Sequence, residues 1–179
     1  VIDAGIANGN VTFKNCVFGG HLAHQGVHFD SGNGIVVFDN CTFVGRNMLG
    51  SSLEKVIFNN CTFLNKKSSL TGPDKWTGVN MWGKYEFNNC EFDTEAHCNV
   101  KCDGVVAAFN GCKFTDGRDI TSIVNNGGKF AADITFDGKT YVTDGLFKDE
   151  SGNYIASTEA GVSEAIKAGA TEVTLTAGD

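Results

Sequence analysis

Proline is almost missing from this chain: one residue in 179, beside only two tryptophans and two methionines. Basic residues are short as well, fourteen Lys and Arg against twenty-one Asp and Glu, a net charge of −7. A surface of that sign repels phosphate backbones and no basic cluster offsets it, so nucleic acid is excluded from the expected partners. No apolar run approaches the roughly 20 residues a helix needs to cross a bilayer. No signal peptide is visible, so membrane insertion is not expected, and the Val1 start fits processing or trimming of a preceding segment. Coiled-coil heptads are absent too. With 23 glycines beside that single proline, the composition suits a turn-rich fold better than a helical bundle.

What the chain has in quantity is one short phrase. Phe13-Lys14-Asn15-Cys16-Val17-Phe18 recurs at Phe38–Phe43, Phe58–Phe63, Phe87–Phe92 and Phe109–Phe114, always as F-x-N-C-x-F except that Gly111 replaces Asn once. The motif cysteines step by 25, 20, 29 and 22 residues, a mean of 24, the range of stacked repeat architectures. Successive strand residues point to opposite faces, so Phe38 points inward, Asp39-Asn40 forms a corner, and Cys41 and Phe43 point inward again while Thr42 points out. Asn tolerates the left-handed backbone a tight corner needs, and Gly111 tolerates it better. Ten of the fourteen phenylalanines lie in the five phrases, which concentrates aromatic burial in one or two internal columns.

These phrases resemble the right-handed parallel β-helix, with its aromatic stacks and asparagine ladder. The resemblance covers roughly Val11 to Phe136 and implies an all-β solenoid of about five coils. Residues 1–136 are then the β-helix and 137–179 a hairpin, a short capping helix and a strand. Gly26–Phe29, Gly78–Met81 and Asn99–Cys102 are candidate further strands. In the C-terminal part Ile134–Val142 reads as a hairpin around Asp137-Gly138, and Asp149–Asn153 as a second turn. Ser157 or Thr158 starts a helix closed by Gly169, and Glu172–Thr176 alternates like a strand. This helix either covers the end of the stack or, the favoured expectation, opens a second solenoid in a longer protein.

Cys16, Cys41, Cys61, Cys90 and Cys112 occupy one inward position of successive coils, and Asn15, Asn40, Asn60 and Asn89 the corner. Side chains stacked in parallel do not converge as a disulfide requires, so free thiols acting as small hydrophobes are expected. Sequons occur at Asn10, Asn40 and Asn60; the last two put the acceptor at the corner and are read as structural, because a glycan there would break an amide ladder.

Parallel β-helices include pectate lyases, polygalacturonases and phage tailspike glycosidases, whose chemistry needs carboxylates converging on an outer face, about 5 to 9.5 Å apart for glycosidases. The outward rows Val17, Thr42, Thr62, Glu91, Lys113 and Lys14, Asp39, Asn59, Asn88, Asn110 stack no two acids on adjacent coils. His21, His24 and His28, and His97-Cys98 with Cys102, have ligand-like composition but not the spacing that puts ligands on one strand face close together, and Asp93, Glu95 and Asp103, acidic neighbours of one coil with the composition of a Ca²⁺ site, are read as a solvated face. No catalytic residue, metal site or cofactor is assigned. Trp76, Trp82 and Tyr85, in the longest insertion, are the candidate carbohydrate-binding residues, since exposed aromatics beside polar groups stack sugar rings.

The phrases, together with Glu164-Ala165-Ile166-Lys167-Ala168-Gly169-Ala170-Thr171-Glu172-Val173-Thr174-Leu175, look like bacteriophage tail- and head-fibre proteins and related bacterial surface proteins. That resemblance implies a structural virion component, a fibre, spike or capsid-associated segment assembled in the host cytoplasm. Expected partners are other virion proteins or further copies of itself, as in a homotrimer, and host surface glycan. A polysaccharide lyase or glycoside hydrolase and a bacterial surface adhesin are the alternatives.

Overall fold

The corner residues explain why the chain coils. Asn15, Asn40, Asn60 and Asn89 hold φ between 51° and 53°, and Gly111 holds 60°. A single left-handed residue ends one strand and redirects the next onto a new face, and asparagine accepts that conformation more readily than other residues with a side chain. The main-chain groups at the bend stay paired across coils: the Asn15, Asn40, Asn60 and Asn89 amides donate to the carbonyls of Asp39, Asn59, Asn88 and Asn110 at 2.8 to 3.0 Å.

A computed structural model describes residues 2–3, 9–19, 27–28, 33–44, 46–49, 53–64, 78–81, 83–93, 97–100, 106–123, 133–143 and 145–176, with the main chain alone at 2–3, 27–28, 46–49, 78–81 and 97–100. After β1 (Ile2–Asp3), the first coil runs through β2 (Val11–Lys14), β3 (Val17–Gly19) and β4 (Val27–His28). The second holds β5 (Ile35–Asp39), β6 (Thr42–Val44) and β7 (Arg46–Leu49); the third β8 (Lys55–Asn59), β9 (Thr62–Leu64) and β10 (Gly78–Met81). The fourth holds β11 (Lys84–Asn88), β12 (Glu91–Phe92) and β13 (His97–Val100); the fifth β14 (Val106–Asn110), β15 (Lys113–Phe114) and a 3₁₀ turn at Ile120–Ile123. β16 (Asp133–Phe136) lies on β14 as the last parallel rung. The result is a parallel β-helix, a solenoid of about five turns. Its three faces are the sheets β2-β5-β8-β11-β14-β16, β3-β6-β9-β12-β15 and β7-β10-β13. Of the expected further strands, Gly78–Met81 is matched residue for residue, Val27–His28 of the first is strand with its other two residues outside the described ones, and the third begins two residues earlier, at His97.

Register is uniform, so like side chains superimpose. The first phenylalanine of each phrase, continued by Phe136 of β16, forms one column, Phe13-Phe38-Phe58-Phe87-Phe109-Phe136, with rings stacked at 4.7 to 5.2 Å. That separation is close to the inter-strand spacing, which lets rings ride on strands without rotamer strain. The second column, Phe18-Phe43-Phe63-Phe92, stacks at 4.7 to 5.1 Å. The columns meet edge to face, for instance Phe38 against Phe43 at 5.0 Å, the arrangement ring quadrupoles favour. Each fully buried ring contributes roughly 1.5 to 3 kcal/mol of transfer free energy.

The five motif thiols are free and run beside the rings; Cys41, Cys61 and Cys90 are buried, Cys16 and Cys112 partly so. They do more than fill space. The Sγ atoms of Cys41, Cys61, Cys90 and Cys112 lie 3.4 to 3.5 Å from the carbonyls of Phe13, Phe38, Phe58 and Phe87, so each thiol reaches across to an earlier coil. Burial pushes the Cys41 thiol up, and the Cys112 and Cys61 thiols flanking Cys90, with burial, push that one up as well.

At Phe136 the coil gives way to an antiparallel meander. Asp137 and Gly138, with φ of 46° and 78°, make the two-residue hairpin turn into β17 (Lys139–Thr143). The Asp137 carboxylate accepts the Gly111 amide at 2.7 Å, taking over the role that a carbonyl plays at the earlier corners. β18 (Leu146–Lys148) and β19 (Tyr154–Ala156) follow antiparallel, with Asp149 folding the turn between them by accepting the Ser151 and Asn153 amides. Tyr141 packs on Phe136 and Phe147 on Tyr141, both at 5.8 Å, which continues the aromatic column into the meander. Helix α1 (Glu159–Lys167) is capped by Thr158, whose hydroxyl accepts the Gly161 amide at 3.0 Å, and closed by Gly169 at φ 84°. It leads to β20 (Val173–Leu175), parallel to β19, and covers a small second core of Leu146, Ala156 and Ala165.

Candidate functional site

Outward-facing side chains of the first face form three columns, because strands in register put every second residue on the same side. One column is Lys14, Asp39, Asn59, Asn88 and Asn110. Lys14 pairs with Asp39 at 3.7 Å; Asn88 donates to Asn59 and Asn110 donates to Asn88, each at 2.9 Å. This amide ladder sits one residue before the corner. The corner has its own amide bond, Asn40 to Asn15 at 2.7 Å. The sequence places the ladder at the corner and gives this second column only as an outward row; three consecutive Phe-Asn pairs, Phe58-Asn59, Phe87-Asn88 and Phe109-Asn110, are the signal for its amide bonding.

The carboxylates on these faces are also occupied by neighbouring coils. Glu86 accepts from the Lys55 ammonium and from the Asn88 amide, the latter at 2.9 Å, and these two contacts hold its carboxyl below the ordinary range. On the second face Glu91 and Lys113, in register on β12 and β15, pair at 2.7 Å. Arg118 pairs with Asp116 at 2.8 Å and places its guanidinium 4.4 Å from the centre of the Phe114 ring, at the end of the second aromatic column.

The expected sugar platform is corrected in one member. Tyr85 is 1 % exposed, in register with Val56 and Ala107 on the inward side of the first face. Lys84 and Glu86 take the outward positions, so alternation within β11 assigns the ring to the core. Trp76 and Trp82 lie outside the described residues, as do His21, His24, Glu95, Cys102 and Asp103; His28, His97 and Cys98 are described by main chain alone. Asp93 is half-buried at the end of the second face, its amide bonded to the Phe63 carbonyl at 2.8 Å. Among the described residues no group of three or more His, Cys, Asp or Glu is placed to hold a metal ion. The sequon residue Asn10 has its side-chain oxygen on the Ile35 amide at 3.0 Å, and Asn40 is bonded to Asn15, so both side chains make bonds between coils.

A scan against protein-family models, a search of the curated proteins and a search of the solved structures each find no match to this chain. The functional reading therefore rests on the residues themselves.

Proposed function

We propose that this chain is a stiff structural segment, a β-helical rod of a bacteriophage virion protein such as a fibre, spike or capsid-associated component, with outward loops that contact other virion proteins or host surface glycan. One observation carries the reading: the polar side chains of the outer rows pair with the next coil along the axis. Lys14 with Asp39, Asn59 with Asn88 and Asn110, Lys55 with Glu86, and Glu91 with Lys113 all bond between coils. Together with the main-chain ladders and two ring columns, they resist shear between rungs. Individually such surface pairs contribute little, about 0 to 1 kcal/mol. Repeated along one axis they favour rigidity, a mechanical property suited to a projecting appendage. The attribution to a virion is supported by the style of the repeat phrases.

Antibody raised against the chain, gold-labelled and viewed by electron microscopy on phage particles purified from the producing culture, tests the assignment. Gold on fibres or capsids is the expected result. Gold confined to bacterial envelopes would replace it with the adhesin reading, and release of oligosaccharides from host polysaccharide by the purified protein would replace it with the enzyme reading.

A further inference from the structure

Where the last coil meets the meander, the 3₁₀ turn, the β17–β18 corner and the β19–α1 junction border an open cleft of about 420 Å³, with Asp119, Ser122, Ser157 and Thr158 exposed along it. Its walls are Asp119, Thr121 and Ser122 on one side, Ser157 and Thr158 on the other, with Phe147 and Gly145 between them. The volume lies within the range of ordinary small-molecule sites.

The cleft is rigidly built. Gly145 has φ 73°, and a Cβ there would fall 2.1 Å from the Thr158 hydroxyl; a Cβ on Gly161 would fall 2.2 Å from the Gly145 carbonyl. The Ser157 amide bonds that same carbonyl at 2.9 Å. Two glycines thus clamp the corner of the meander against the first turn of α1. On the opposite wall the Asp119 Oδ1 accepts the Thr121 amide at 2.9 Å, and the Ser122 hydroxyl donates to the Asp119 carbonyl at 2.9 Å. The first of these bonds orients the Asp119 carboxyl, and among the described residues its Oδ2 accepts no hydrogen bond. Among the described residues the Thr121 and Ser157 hydroxyls take no internal hydrogen bond.

We propose that this cleft binds a neutral saccharide, one or two pyranose rings in size. Four hydroxyls and a carboxylate suit the alternating donors and acceptors of a sugar, and the half-buried Phe147 offers an apolar surface for its C–H face. An anion is disfavoured by Asp119, by Glu159 in the first turn of α1, and by the net charge of −7. The site goes beyond the structural role proposed above, since a rod without any place in a virion would bind the same ligand.

Amide-resolved NMR of the full chain, titrated to about 50 mM with methyl α-glucopyranoside, methyl α-mannopyranoside, methyl β-galactopyranoside, lactose, n-butylamine and inorganic phosphate, tests it. Saturable shifts of the Asp119, Thr121, Ser122 and Ser157 amides with at least one sugar are expected. Asp119→Asn keeps the acceptor for the Thr121 amide but removes the charge, and should weaken that sugar about 10-fold. Ser157→Ala removes a hydroxyl with no structural bond and should weaken it about 3-fold, which keeps the test intact if the Asp119 variant does not fold. No sugar-dependent shift, shifts located elsewhere, unaltered affinity in the folded variants, or a response to the amine or phosphate alone would each overturn the proposal.

Discussion

Phe58→Ala should destabilise the chain far more than Phe13→Ala, although the two residues occupy the same position of the repeat. Phe58 is 0 % exposed, stacked on Phe38 at 5.2 Å and Phe87 at 4.7 Å, with Phe43 and Phe63 at its edges at 5.4 and 5.3 Å. Truncating a fully buried phenylalanine costs about 3 to 5 kcal/mol, and rings on both faces place this site near the upper end. Phe13 is only partly buried and stacks on Phe38 at 5.2 Å, with Phe18 at its edge at 5.6 Å, so about 2 kcal/mol is expected there. Phe58→Leu, which retains most of the volume, should cost about 1.5 kcal/mol or less. Urea unfolding followed by far-UV circular dichroism reads all three. Each rung is supported by its neighbours, so a break in the middle should also lower the denaturant slope by dividing one cooperative unit into two. Equal losses for Phe58→Ala and Phe13→Ala, or a larger loss for Phe13→Ala, would refute the stacked-column account.

Gly145→Ala should unseat α1 and lower the melting temperature by several degrees, whereas Gly152→Ala, at φ 83° but in open space, should show only the backbone cost of about 1 kcal/mol; scanning calorimetry compares them. Asn88→Asp removes the donor to Asn59 and sets a second carboxylate beside Glu86, and a loss of about 1 to 3 kcal/mol at pH 7 is expected in urea titrations. The Glu86 carboxyl is held below its ordinary value in the folded chain, so its contribution is present above the unfolded pKa and is lost as pH falls through the folded one. Unfolding free energies measured from about pH 6 to pH 3 should therefore fall by a few tenths to about 1 kcal/mol less for Glu86→Gln than for the native chain. Iodoacetamide labelling mapped by mass spectrometry should leave Cys41, Cys61 and Cys90 unmodified in the folded chain and modify all three in urea; rapid native labelling of Cys90 would contradict its place in the column.

The solenoid was legible because its signal is periodic. Each phrase repeats the same inward and outward assignments, so five copies reinforce one reading of Phe, Asn and Cys. The C-terminal turns were legible for a local reason: Asp137-Gly138, Thr158 and Gly169 are residues whose backbone preferences act within a few positions. What the sequence hid depends on register between coils. The Asn59-Asn88-Asn110 ladder requires three strands to align, and nothing inside one phrase states that the Asn directly after its first Phe bonds a neighbour above. Tyr85 was misassigned because proximity to Trp82 outweighed its alternation with Glu86 and Phe87, which places it inward. The cleft at Asp119 joins segments about 40 residues apart, and no single one of them has a recognisable ligand pattern.

Stacking in register is tested most directly by ring-to-ring nuclear Overhauser effects in a deuterated chain labelled only at phenylalanine. The Phe58 ring should give cross-peaks to both Phe38 and Phe87, while Phe38 and Phe87 should show none to each other with Phe58 between them. A direct Phe38–Phe87 contact, or a Phe58 ring with neither neighbour, would contradict the order of the coils.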